Sequence, residues 1–325
     1  MKLTGEEKKC LLIAPLSFYS YSEYLKNSLT QHGYNVTLAN DEYPANGIGK
    51  IMGKFRMRLL LYLTLKKFER TFISGKNYDL VMIIKGRGVS AELIKKLKQK
   101  SSKVIGYTFD SLKYHSAPKK WFRHVDQFYT FDYLDGEKNG LRVVELFSSM
   151  PINNARKICK YQISAIARNH SDRLKYIDNV LSTIKVEEKF VYIFEQNIFT
   201  FLRNFFNDPK LYLKYKKYIS FKALSFEDYA KVLQESDFVI DFAHPSQSGI
   251  TIRCFEALSI GTKIITNNPF VFRYKHFNDT NTIVFNEKSD PKLFKARFNN
   301  IQNRYADKHD RNINEFIGDL VSEAS

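Results

Sequence analysis

The sequence predicts an α/β protein made of two domains, each a doubly wound parallel sheet covered by helices. Two observations carry this. Short apolar runs of buried-strand type alternate with stretches of helical period along the 325 residues, the pattern of parallel strands joined by crossover helices. That alternation lapses once, over SSMPINNARKICK at 148–160, where a proline, asparagines and charges mark a linker. Residues 1–150 and 151–325 are therefore read as separate domains, each long enough for its own core.

In the first half, KCLLIA (9–14) is a buried-type strand, followed by the polar and aromatic loop LSFYSYS and a helix to about Gln31, with Gly33 as its stop. The loop has no glycine, so the dinucleotide fingerprint is absent and NAD is not expected. Tyr34–Leu38 is the next strand. The helix over Met52–Phe72 has an apolar centre, LLLYLTL, flanked by Lys54, Arg56, Arg58, Lys66, Lys67 and Arg70. It suits a buried helix with solvated ends or an amphipathic helix on an anionic membrane. YDLVMIIK (78–85) is a strand ending in Gly86-Arg87-Gly88, where Lys85 and Arg87 face either a ligand crevice or solvent. After the helix 91–100, the strand 104–109 ends on Asp110, placed for general-base work on an acceptor hydroxyl or for capping. FYTFD (128–132) repeats the strand-then-Asp form, and 143–146 is the last strand before the break.

The second half restarts with the strand YQISAIA (161–167) and the loop Arg168-Asn169-His170-Ser171-Asp172-Arg173, which leads into a helix to about Thr183. A loop entering a helix with two arginines beside it is a candidate anion site. A strand at 191–194 is followed by PKLYLKYKKY (209–218), read as a solvated or membrane-facing surface, since its interleaved Lys and Tyr come with no nucleic-acid signature. SFED at 225–228 opens a helix ending near Glu235. The most informative stretch is 236–268. There a strand (238–242) gives way to His244-Pro245-Ser246-Gln247-Ser248-Gly249, then to a helix over 250–260 with Ser248 as N-cap and Gly261 as C-cap, then to the strand KIIT. Arg253 and Glu256 share one face of that helix, where they reach a common ligand or form a solvated pair. A strand at 282–285 and a helix from Pro291 to about Tyr305 complete the pattern.

Composition is that of a globular protein, 44% apolar and 26% charged, but the net charge is +17, which implies an anionic partner: nucleic acid, an acidic membrane surface or phosphorylated substrates. Cys10, Cys159 and Cys254 are scattered without metal-ligand spacing and read as reduced core residues of a cytosolic protein. No run approaches a membrane span, and MKLTGEEKK lacks the apolar region of a signal peptide.

The block from Asp241 to Asn267, with PSQSG, a glutamate inside the helix and then EALSIG, resembles the nucleotide-sugar half of GT-B glycosyltransferases. FDS at Asp110, FYTFD at Asp132, SAIARNHSDR, LSFEDYAKVL and HPSQSGITIRCFEAL follow one another in an order similar to bacterial glycosyltransferases of lipopolysaccharide, capsule or spore-coat assembly. The resemblance implies two Rossmann-like domains facing across a cleft, with the donor in the second and a glycan or glycolipid acceptor in the first. It further implies a nucleotide-sugar as co-substrate with no bound cofactor or metal, and a cytoplasmic protein peripheral at the anionic inner face of the membrane, with no nucleic-acid partner. On this basis Glu256 is expected at the donor ribose, and Arg253, the Ser248-Gly249 turn and Arg168 or Arg173 at the pyrophosphate. His170, His244, Ser246, Gln247 and Thr251 complete the expected donor set. Lys85, Arg87 and Asp110 form the acceptor side, with Asp110 and Arg253 as the catalytic pair. The large retaining families carry a second glutamate eight residues before the first, where this chain has Ser248, which leaves retention or inversion open. A noncatalytic scaffold of the same fold and a basic nucleic-acid-binding α/β protein are the alternatives.

Overall fold

The computed structural model describes residues 7–16, 21–150 and 159–322. Most of the expected linker and part of the loop after the first strand lie outside them. The chain divides into two compact units, one comprising the described parts of Met1–Phe147, Ser246–Gly249 and Asn312–Ser325, the other Ser148–Pro245 and Ile250–Arg311.

Along the first unit run β1 (Lys8–Ala14), α1 (Tyr21–Gln31), β2 (Tyr34–Asn40), α2 (Gly47–Phe55), α3 (Met57–Phe68), β3 (Tyr78–Ile84), α4 (Ala91–Lys98), β4 (Ser101–Thr108), β5 (Gln127–Thr130), α5 (Tyr133–Asn139) and β6 (Arg142–Val143). The strands form one sheet in the order β2-β1-β3-β4-β5-β6, parallel throughout. Leu11, Ile13, Val81, Ile83 and Val104 of its strands pack with Leu93, Ile94 and Leu97 of α4. Strands buried on both faces need continuous apolar runs, which is why the sequence shows them so plainly. The lone tryptophan, Trp121, lies fully buried in this core. Its indole N–H donates to Gly86 O at 2.9 Å, and a side chain at Gly86, whose φ is +60°, would run into the indole ring.

The second unit holds β7 (Tyr161–Arg168), α6 (Arg173–Ile184), β8 (Lys189–Phe194), α7 (Ile198–Asn207), α8 (Pro209–Tyr215), β9 (Ile219–Ser220), α9 (Phe226–Gln234), β10 (Ser236–Asp241), α10 (Ile252–Ile260), β11 (Lys263–Thr266), β12 (Thr282–Val284) and α11 (Pro291–Ile301). Its sheet is also parallel, in the order β12-β11-β10-β7-β8-β9. Ile163, Ile193, Phe238, Ile240 and Ile265 meet Leu174, Ile177 and Val180 of α6 and Phe294 and Phe298 of α11. Each such side chain contributes about 1.5–3 kcal/mol by leaving water.

The final helix, α12 (Ile313–Val321), departs from the expected division, because it belongs to the first unit rather than the second. The cause is aromatic packing: Phe316 is fully buried, with its ring 4.9 Å from those of Tyr107 and Phe147. Ser28 Oγ adds a hydrogen bond to Asn314 Oδ1 at 2.6 Å. The helix expected over Met52–Phe72 is broken at Arg56 and ends in a π-helical turn, Glu69–Ile73. Cys10 and Cys254 are buried as expected, whereas Cys159 is exposed, since it precedes β7 rather than lying within an element.

Candidate functional site

Open parallel sheets bind ligands at the carboxyl ends of their strands, where the strand order reverses. In the second sheet the order reverses between β7 and β10, from which successive strands step outward in opposite directions. The loop leaving β7 carries Arg168, His170 and Arg173, and the loop leaving β10 carries His244. Burial, then Arg173, Arg168 and His244, depress the His170 imidazole from its usual value to about 4. It is therefore neutral near pH 7 and faces groups that repel a proton. Such a group of donors and positive charges has the chemistry that suits an anion. Ser171 at the centre of the loop has φ 51°, a left-handed conformation that is costly for a residue with a Cβ and recurs at ligand-binding turns. Arg168 reaches Gln196, just beyond β8.

Behind this loop lies a buried polar network that the sequence reading did not foresee. Asp241, at the end of β10, accepts hydrogen bonds from Thr251 Oγ1 at 2.7 Å and Thr266 Oγ1 at 3.2 Å. Thr251, not Ser248, stands as the N-cap of α10, because Ser248 is three residues too early and its hydroxyl is committed elsewhere. Glu256 is 4% exposed and both carboxylate oxygens are engaged, Oε1 by Ser149 Oγ at 2.9 Å and Oε2 by Tyr229 OH at 2.7 Å. Burial raises its carboxyl above the usual range, against the hydrogen bonds from Tyr229 and Ser149 and the nearby Arg253. Arg253 lies among Tyr229, Asp241 and Glu256, which outweigh burial and hold its guanidinium above the ordinary value. Glu256 is thus enclosed by its partners, while Arg253, intermediate in exposure, lies near it on the same helix. Every residue of α10 from Cys254 to Ile260 is buried, which encloses the glutamate of this i,i+3 pair.

The Ser248-Gly249 turn is likewise occupied. Asp132 receives Ser248 N–H at 2.6 Å, Ser248 Oγ–H at 2.8 Å and Gly249 N–H at 3.3 Å, while also capping α5 through Asp135 N–H at 3.0 Å. The backbone donors expected to cradle phosphate thus hold a carboxylate of the first unit. Gly249 has to be glycine there, because a Cβ would come within 2.3 Å of the Phe131 ring.

In the first unit Lys85 and Asp110 meet, while Arg87 is paired elsewhere. Lys85 Nζ lies 2.8 Å from Asp110 Oδ2, Gln247 Nε2 is 3.4 Å from Asp110 Oδ1, and Ser111 Oγ–H donates to Ser246 O at 2.8 Å. Arg87 turns aside to Glu42, with Nε 3.3 Å from Oε2, while its backbone N–H donates to Asp41 Oδ2 at 2.9 Å. Burial raises the Asp41 carboxyl to about 6, opposed by that hydrogen bond. His115 joins this group, its imidazole lowered by burial and its Nε2 enclosed with no hydrogen-bond partner among the described residues. The sequence gives no sign of Asp41 and His115, marks Asp132 only by the strand-then-Asp form, and shows Asp241 only as the start of the block that carries the resemblance.

No family model matches the chain, and no curated protein matches it in sequence. Solved structures match its fold. AviGT4, a glycosyltransferase involved in avilamycin A biosynthesis, is 10% identical over 98% of this chain and 97% of its own, with a TM-score of 0.57. The lipopolysaccharide outer core galactosyltransferase WaaB is 10% identical over 97% of this chain and 95% of its own, at 0.55. The Methanocaldococcus jannaschii UDP-GlcNAc 2-epimerase, in complex with UDP-GlcNAc and UDP, is 11% identical over 97% of this chain and 99% of its own, also at 0.55. Two Rossmann-like units of the GT-B type are thus the fold of this protein. Because these neighbours include an epimerase beside transferases, the fold does not choose the reaction.

Proposed function

We propose that the protein is a glycosyltransferase that moves a sugar from a nucleotide-sugar donor to a lipopolysaccharide, capsule or related cell-surface glycan. One observation carries the reading: Arg168, His170, Arg173 and His244 gather at the carboxyl ends of β7 and β10, where the second sheet reverses its strand order. A diphosphate suits these groups, and the charge it gains as the glycosidic bond breaks is what preorganised cations stabilise best. On this reading the donor diphosphate sits on the Arg168–Arg173 loop. A UDP-bound epimerase and a lipopolysaccharide galactosyltransferase of the same fold support the donor class and the acceptor class. Asp110 is the group that takes the acceptor proton, and Lys85 holds it in place.

The acceptor's membrane surface is approached through α2 and α3. Ile48, Ile51, Phe55, Leu59 and Tyr62 are all exposed, and Lys54, Arg56 and Arg58 lie among them.

Calorimetry with UDP and a panel of UDP-sugars tests the donor site, followed by incubation of a radiolabelled donor with lipopolysaccharide or capsule fragments. Arg168→Gln and Arg173→Gln are each expected to weaken UDP at least tenfold. The reading fails if no nucleoside diphosphate binds, or if a bound donor is epimerised without any transfer.

A further inference from the structure

The helix α7 buries none of its ten residues, although six of them are apolar. At 100° per residue, Phe201, Phe205, Ile198, Leu202, Phe206 and Phe199 fall in that angular order along one arc of about 160°. The core uses only one edge of the arc, where Phe201 and Phe205 pack against it. The other edge stands in water: Ile198 is 50% exposed, Phe199 80%, Leu202 41% and Phe206 73%. Phe221, 51% exposed and with its ring 5.7 Å from that of Phe201, extends the patch. Thr200, Arg203, Asn204 and Asn207 complete the circumference. The helix is held in register for this display by a reciprocal cap between Asn197 and Thr200.

Charge identifies what covers the patch. Residues 197–222 carry Arg203, Lys210, Lys214, Lys216, Lys217 and Lys222 against the single acid Asp208, whose carboxylate is turned to the Leu211 N–H as the cap of α8. Large apolar side chains within a basic surround fit an interface that is apolar inside and anionic at its rim, and long lysine stems let their ammonium groups reach that rim. We infer that α7 is a membrane-docking helix that seats Phe199, Leu202 and Phe206 in the headgroup region of an anionic bilayer. The sequence reading of the Tyr- and Lys-rich stretch 209–218 is thereby divided. Tyr212 and Tyr215 are core residues, Lys214 is paired with Asp178, and Lys210, Lys216 and Lys217 are the exposed charges of that stretch.

This contact lies in the second unit, apart from the α2–α3 stripe of the first, and requires no donor or acceptor.

Flotation with phosphatidylglycerol-containing vesicles at low salt tests the inference, with hydrogen exchange of the peptides over 198–207 and 48–62 read in parallel. The expected result is slowed exchange over 198–207 on vesicles, and at least a tenfold loss of bound fraction in the double variant Phe199→Ser, Phe206→Ser. Both positions are exposed, so the variant should retain the parent's circular dichroism. Parental vesicle binding by the double variant, or protection confined to 48–62, overturns the inference. Equal binding to neutral phosphatidylcholine vesicles removes the anionic lipid from it. If light scattering shows a parental dimer that the double variant dissolves, with vesicle binding unchanged, a second copy of the chain is the occupant and the lipid assignment is wrong.

Discussion

His170 makes the anion site testable by pH. Its imidazole is held at about 4 by burial and by Arg173, Arg168 and His244, against an ordinary value of 6.5, so binding a diphosphate must raise it. Protons are therefore taken up on binding, and affinity for UDP increases as pH falls from the raised value of the complex toward 4. Calorimetry between pH 8 and 5 is expected to show this increase, and His170→Gln to remove the part that does not come from the phosphate's own titration. Asp41 works in the opposite sense. Its folded carboxyl is raised from 3.8 to about 6, so the unfolded chain loses its proton first and stability falls as pH rises from about 4 to 6. Asp41→Asn keeps an acceptor for the Arg87 N–H and is expected to raise the thermal midpoint at pH 7 but not at pH 4. Glu256→Ala would strand Tyr229 and Ser149 and leave Arg253 with one carboxylate fewer. A loss of roughly 2–4 kcal/mol is expected in denaturant melts, with UDP affinity of the folded protein unchanged.

Among the elements, the turn at Ser248-Gly249 and the helix α5 depend on one side chain, Asp132. Asp132→Ala removes the acceptor that serves three donors of that turn and the cap of α5. It is expected to cost on the order of 3 kcal/mol, whereas Asp132→Asn, which keeps one acceptor oxygen and with it at most two of the four bonds, should cost less. Equal midpoints for the two variants would show that the carboxylate is not what holds the turn. This contact also shows where sequence reading ends. The strands were legible because burial on both faces writes itself as unbroken apolar runs, and α10 was legible through Gly261, whose φ of +72° is the C-cap that its position suggested. Asp132 and Ser248 lie 116 residues apart, and no local pattern links them. The same holds for α12, a nine-residue helix whose place is decided by Phe316 meeting Tyr107 and Phe147, and for α7, whose outer arc is as apolar as a buried helix. Arg253 and Glu256 lie on one helix as their spacing suggests, but spacing shows which residues share a face and not what covers it, and Glu256 is buried.

At the scale of the whole chain, two units with separate cores need not unfold together. The donor diphosphate is assigned to the second unit alone, so UDP should stabilise that unit by an amount fixed by its concentration and affinity, and the first unit by less. The net charge of +17 adds self-repulsion to both, which moderate salt should relieve. Trp121 has an optical consequence here. With the only indole of the chain sealed in the first core and bonded to Gly86 O, fluorescence excited at the red edge of absorption comes from that unit alone. Its emission should be blue in the folded state and move red when the first core opens, while far-ultraviolet dichroism follows both units. Melting the protein with UDP present should shift the dichroism curve upward and leave the emission curve nearly in place. To an observer of emission only, the nucleotide would seem to do nothing.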